Sequence, residues 1–373
     1  MLPWIFAILL ACSGRRNKDG TEQPYDPPDD DSPATSGSDE GTDDTGQPTG
    51  GDDSEPDSPQ GGDDTHDTGP DTGPDTSMPS TPRGWTVVEL APLAGLSDGD
   101  CPDFSDSGTS KFTSSGEDRT VTLLLPDTDG DDEVETEGAP VVFFFHGLTT
   151  PEESSEPSRE LAEALDLQGI ADETGAIIVV PEAPLREMYD VEFYLWQVDS
   201  VDSTDLTLYD DLRTCLSSRL DVDLERVTAV GFSGGALFTT VLLAERGDTL
   251  ATFVELSGGA DVDVPLFTDP FAPYSTPAWT LPGLVVSGGA TDVWPSVDAP
   301  LVDFEDASDT LTDELVTDSS FVVRCHHDEG HSITWDEYLL TISWLTTHQF
   351  GQPSPFAGAD LGADADWCVD MGG

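Results

Sequence analysis

The chain has 373 residues, with 76 acidic side chains against 13 basic ones and a formal net charge of −63. That length holds one large domain with extensions, or two small ones. The charge excludes nucleic acid and anionic membrane surfaces as partners, because both demand clustered Lys and Arg.

The chain opens with MLPWIFAILLACSG. Its apolar run of about ten residues is too short to span a bilayer and suits the core of an export signal. The run ends in Leu-Leu-Ala-Cys, which resembles a bacterial lipoprotein signal over residues 1–12, with Cys12 as the acylated residue, although no Lys or Arg precedes it. The alternative is an ordinary secretory signal with an incidental cysteine. Either way an exported protein is expected, as a cell-envelope lipoprotein at the periplasmic or outer surface, or secreted. Membrane contact is then through the lipid anchor alone. Residues 13–83 consist mainly of Asp, Thr, Gly, Pro and Ser and hold 19 of the acidic residues. Little in them can be buried, so ordering entropy would go uncompensated, and a disordered tether extended by self-repulsion is expected.

From Gly84 to Gly373 the composition changes and apolar runs appear. RTVTLLLP (119–126) and APVVFFFHG (139–147) read as strands. Between them lies DTDGDDEVETEG (127–138), where the glycine comes too early and the twelfth position lacks glutamate for a calcium loop, so a solvated hairpin loop is expected. SRELAEALDLQGIADETG reads as one helix stopped by Gly175, and AIIVVPEAP (176–184) as a buried strand. DLTLYDDLRTCLSSRL places Leu208, Leu212 and Cys215 or Leu216 at helical spacing. RVTAVGFSGGALFTTVLLAER gives a strand over 226–232, then Ser233, then a helix over 235–246. ATFVELSGGA (251–260), LPGLVVSGGA (281–290) and SSFVVRCHH (319–327) are further strands. An amphipathic helix near 333–349 would align Trp335, Tyr338, Leu339, Ile342 and Leu345. Strands that are apolar throughout, alternating with helices, predict one α/β domain around a mostly parallel sheet.

Four cysteines remain in this domain: Cys101, Cys215, Cys325 and Cys368. An even number in an exported chain suits disulfides, and three pairings are open. No two have metal-finger spacing. Neither a metal nor a cofactor is expected.

Gly231-Phe232-Ser233-Gly234-Gly235, between a strand and a helix, has the form of a nucleophile elbow. The competing reading is a turn that merely needs small residues. A serine needs a base, and His331 in the loop CHHDEGHSITW is the favoured one. His326 and His327 sit at a strand end, His348 reads as a surface residue of the last helix, and His66 falls in the tether. An Asp among so many is chosen by position: Asp292 follows a strand and a Gly-Gly turn. Asp298 is its main rival, with Asp303 and Asp306 behind. The backbone N–H groups of Leu148 and Gly234 are candidates for an oxyanion hole, with His146 orienting the loop rather than acting as base. Trp196, Trp294 and Trp335 are candidate substrate-cleft residues, or they pack the core.

The strings FFFHGL, WQVDSVDSTDLTLYDDLRTCLSSRLDVDLERVTAVGFSGGAL, GGATDVW and CHHDEGHSITW resemble the secreted polyhydroxybutyrate depolymerase, feruloyl esterase and acetylxylan esterase group of α/β-hydrolases. The likeness spans about residues 110–350. It implies an α/β-hydrolase fold and a Ser233–His331–Asp292 triad. The implied function is hydrolysis of carboxylic esters, with a small or polymeric ester as the partner of a monomeric enzyme. Two departures, Leu148 after the His-Gly pair and Gly234 after the serine, leave the substrate open. The rivals are a serine peptidase of the same fold and a catalytically silent surface-binding protein.

Overall fold

The computed structural model describes residues 88–372, apart from 128–137, 189, 200–202, 265–266, 296–299, 334–337, 360, 362–364 and 366. Cys12, the tether, Asp298, Trp335 and nearly all of the segment 127–138 lie outside the described residues. In chain order the elements are β1 (Gly108–Ser114), β2 (Glu117–Leu124), β3 (Ala139–Phe145), α1 (Pro157–Ala164), α2 (Leu167–Thr174) and β4 (Ile177–Pro181). A hairpin of β5 (Leu185–Met188) and β6 (Val191–Tyr194) follows, then α3 (Thr204–Arg219), β7 (Val222–Phe232), α4 (Gly234–Arg246) and β8 (Thr252–Leu256). The chain closes with β9 (Gly283–Ser287), β10 (Val293–Trp294), β11 (Val302–Asp303), α5 (Phe304–Thr317), β12 (Val322–His326), α6 (Tyr338–Thr347) and β13 (Cys368–Asp370).

Nine strands form one sheet in the order β1-β2-β4-β3-β7-β8-β9-β12-β13. The six from β4 to β12 run parallel, β2 and β13 run antiparallel to them, and edge strand β1 pairs antiparallel with β2. A parallel strand covered on both faces is apolar along most of its length, and all seven residues of β3 are buried. Val141, Phe143 and Phe145 enter one core with α3, α4 and α5, while Val142 and Phe144 enter the other with α1, α2 and α6. Among the described residues no helix is long and apolar enough to cross a membrane.

The structure corrects two expectations. β2 and β3 are not a hairpin, because β4 lies between them. The expected single helix over 158–175 is two, broken at Asp166, whose φ of 44° is left-handed. The described part of the expected last helix is Tyr338–Thr347, and residues 334–337 ahead of it lie outside the described residues. The cysteines pair as Cys101–Cys215 and Cys325–Cys368. The second bridge ties β13 across to β12.

Candidate active site

The carboxyl ends of β3, β7, β9 and β12 lead into the segments carrying Leu148, Ser233, Asp292 and His331. Open parallel sheets place their sites along this edge. Ser233 stands at the sharp turn from β7 to α4 with φ 55° and ψ −123°. That backbone costs about 1–3 kcal/mol, and packing must hold it. Small neighbours make the turn feasible: a Cβ on Gly231 would come 2.3 Å from the Gly235 carbonyl oxygen, and one on Gly235 would come 2.1 Å from that of Phe145. The Ser233 N–H donates to the Leu256 carbonyl at 3.0 Å, pinning the elbow to β8.

The three predicted side chains form one hydrogen-bonded line. Ser233 Oγ lies 2.9 Å from His331 Nε2, and His331 Nδ1 lies 2.7 Å from Asp292 Oδ1. Asp292 is completely buried, and its other oxygen accepts the Gly288 N–H at 2.8 Å. A carboxylate so placed holds the imidazole in the tautomer with hydrogen on Nδ1 and leaves Nε2 free to accept from the serine. Phe232 and Phe304 stack on the His331 ring, with centroids at 5.0 and 4.4 Å, and fix its plane. Phe232 is adjacent to the serine in sequence, but nothing in the pattern pointed to Phe304.

Leu148 and Gly234 come together beside this line. A Cβ on Gly234 would sit 3.3 Å from the Leu148 nitrogen, and one on Gly147 would sit 3.1 Å from the Ser233 Cβ. Among the described residues neither N–H has a hydrogen-bond acceptor. Two free donors beside a serine hydroxyl can hold the negative oxygen of a tetrahedral adduct. The loop bearing Leu148 is fastened by its neighbours. His146 Nε2 accepts the Ala183 N–H at 3.0 Å, and its Nδ1 donates to the Gly147 carbonyl at 2.7 Å. Burial holds this imidazole neutral, down at about 4. Trp196 Nε1 donates to the His146 carbonyl at 2.8 Å, and the Tyr194 N–H donates to the Thr149 carbonyl at 2.8 Å.

Other candidates fall elsewhere. Trp196 does not line a cleft: it is 1% exposed, packed against Phe145 and Phe238, because its ring fills the core while its N–H finds a carbonyl. Trp294, two residues after Asp292, is partly buried against the same core. His348 is not a surface residue: it is buried, with Nδ1 against the Trp344 carbonyl at 3.1 Å and Nε2 against Ser354 Oγ at 2.9 Å. Its pKa also falls to about 4 through burial. His326 pairs with Glu305 at 2.8 Å, and His327 Nδ1 accepts the Glu329 N–H at 3.2 Å. Neither contacts the serine. Asp303 caps α5 by accepting the Asp306 N–H at 3.2 Å, and both residues are exposed. Among the described residues no group of three or more His, Cys, Asp or Glu side chains could hold a metal ion.

Sheet order, elbow and hydrogen-bonded line together define an α/β-hydrolase fold. Solved structures share it. The chain is similar to native pOPH with a TM-score of 0.56 at 16% identity, over 74% of this chain and 97% of that one. It is similar to native sOPH with a TM-score of 0.50 at 14% identity, over 77% and 96%. No protein-family model and no curated protein sequence matches the chain.

Proposed function

We propose that the protein is an exported serine hydrolase that cleaves carboxylic esters through an acyl-enzyme. The observation that carries this reading is the Ser233–His331–Asp292 line, at 2.9 and 2.7 Å, beside the backbone N–H groups of Leu148 and Gly234, which have no acceptor among the described residues. As Ser233 Oγ attacks the ester carbonyl carbon, its proton passes to His331 Nε2. Asp292 stabilises the imidazolium that forms. The carbonyl oxygen, now negative, lies against the N–H groups of Leu148 and Gly234. Collapse of the adduct breaks the bond to the alcohol, which leaves with the proton from His331. Water then repeats the cycle on the acyl-serine, returning Ser233 and releasing the acid.

A polyester or a feruloyl- or acetyl-substituted polysaccharide is the substrate class the resemblance favours. A variant of the structural neighbour pOPH has been solved as a complex with pNPB. Two disulfides suit an oxidising compartment, and Cys12 would anchor a monomer to the cell envelope. The test is hydrolysis of p-nitrophenyl acetate and butyrate in molar NaCl by the protein and by Ser233→Ala. Turnover by the wild type alone supports the reading, and a folded but inert wild type refutes it. A feruloyl, acetyl-xylan and polyester panel then assigns the class.

A further inference from the structure

Strand β8 carries a fully buried acid, Glu255, between Val254 and Leu256. Among the described residues no cation pairs with it. Across the sheet it faces Gly231 on β7 and Val285 on β9. From α4 it meets Thr240, and the turn after β8 closes over it. Apart from Glu245, which is half-buried at the far end of α4, the charged groups of the flanking helices are engaged elsewhere or exposed. Arg246 pairs with Asp210, Glu305 with Ser287 and His326, and Asp309 with Arg324, while Asp306, Asp313 and Glu314 are exposed.

The contacts around Glu255 count protons. Oε1 lies 2.7 Å from Thr240 Oγ1, which also lies 2.8 Å from the Gly259 carbonyl oxygen, while Oε2 accepts the Gly259 N–H at 2.8 Å. Thr240 has one hydroxyl proton for two acceptors. An ionised Glu255 would leave one of those two short contacts with no hydrogen in it. A protonated one closes the ring: Glu255 O–H donates to Thr240, Thr240 O–H to the Gly259 carbonyl, and the Gly259 N–H to Glu255. Burial pushes the Glu255 carboxyl up to about 8, in the same direction.

The turn held by this ring is a wedge. A Cβ on Gly258 would come 2.5 Å from that of Ala236, in the first turn of α4, whose N–H donates to the Ser233 carbonyl at 2.9 Å. Gly259, at φ 129°, would place a Cβ 2.2 Å from the Ala307 backbone. Ala307 lies one turn along α5 from Phe304, which stacks on His331. The Ala260 N–H donates to the Ala307 carbonyl at 3.1 Å, and Ser308 Oγ donates to that of Gly258 at 3.3 Å.

We propose that Glu255 is a positioning residue held as a neutral carboxylic acid: its closed ring fixes the turn over 257–259, and the turn sets Ser233 on the elbow helix against His331 beside α5. The kinetic part rests on the serine-hydrolase reading. Glu255→Gln keeps the ring at every pH, since the amide donates to Thr240 and accepts from Gly259. Wild-type kcat on p-nitrophenyl butyrate should fall about tenfold as pH rises through the range in which Glu255 ionises, with KM little changed, while Glu255→Gln stays flat. Thr240→Val, which removes the relay, should lower kcat about tenfold at all pH values. The infrared carbonyl stretch of a protonated carboxylic acid should be present in the wild type at pH 7, titrate away at higher pH and be missing in Glu255→Gln. A Glu255→Gln variant that shares the wild-type alkaline loss, or a wild type lacking the infrared band, overturns the proposal. If no ester is turned over, the hydrolase reading fails, and the infrared band alone decides the state of Glu255.

Discussion

Replacing Asp292 by Asn changes almost no volume and tests the tautomer argument. The Asp292 carboxylate accepts from Gly288 N–H at 2.8 Å on one oxygen and from His331 Nδ1 at 2.7 Å on the other. An amide has one oxygen and one NH2 for these places. Turning NH2 toward Gly288 would set two donors face to face in a fully buried site, at about 1–3 kcal/mol for each donor left unpaired. The oxygen therefore stays on Gly288, and NH2 faces His331. His331 then presents a lone pair at Nδ1 and carries its proton on Nε2, where it can no longer accept from Ser233. The expected loss in kcat is about 10⁴-fold, or about 5.5 kcal/mol of barrier, with KM little altered. Steady-state hydrolysis of p-nitrophenyl butyrate measures it, beside circular dichroism and an unfolding midpoint to show an intact fold. A folded Asn variant within about tenfold of wild type would refute the reasoning.

Four further outcomes are expected. Trp196→Phe keeps the ring in the core but drops the hydrogen bond to the His146 carbonyl, loosening the Leu148 donor; kcat should fall about tenfold with KM nearly constant. Removing the Cys101–Cys215 bridge, which closes a loop of separation 114, should cost about 4–5 kcal/mol by chain entropy, read as a shift in the urea midpoint. Residues 84–373 carry 57 acidic against 9 basic residues, so self-repulsion should make the unfolding midpoint rise with NaCl; no gain between low and molar salt would contradict this. His348, depressed to about 4, stays neutral in the fold while the unfolded chain takes up protons, so it contributes stability above the ordinary histidine range that is lost as pH falls toward 4. That loss is about 3 kcal/mol, and denaturant midpoints of His348→Gln should show a correspondingly flatter acid limb.

The sequence made the site more legible than its surroundings, for physical reasons. A parallel strand buried on both faces reads as a largely apolar run, so β3, β4, the second half of β7, β8, β9 and β12 stand out despite Glu255 in β8 and Arg324 in β12. The elbow demands glycines at fixed places, and the carboxyl-edge rule then selects Asp292 and His331. Strand β1 escaped because GTSKFTS lies at an edge and carries a single large apolar residue. Helix α5 was missed although Phe304, Ala307, Leu311 and Leu315 have helical spacing; three acidic residues in its first six positions masked it. His348 reads as a surface residue because its polar ring suggests solvent, and Trp196 stays open between cleft and core, whereas each finds a buried partner. Those partners are far apart in sequence for Trp196, and no local pattern encodes such a contact.

In the proposed function Ser233 is a nucleophile activated by His331. Peptide mass spectrometry after treatment with a fluorophosphonate tests it directly, since the reagent needs an activated serine and no knowledge of the substrate. One stoichiometric adduct on Ser233 is expected, absent in Ser233→Ala and formed far more slowly in Asp292→Asn. A folded protein that leaves Ser233 unlabelled, or labels it equally fast in Asp292→Asn, would show that His331 does not activate Ser233.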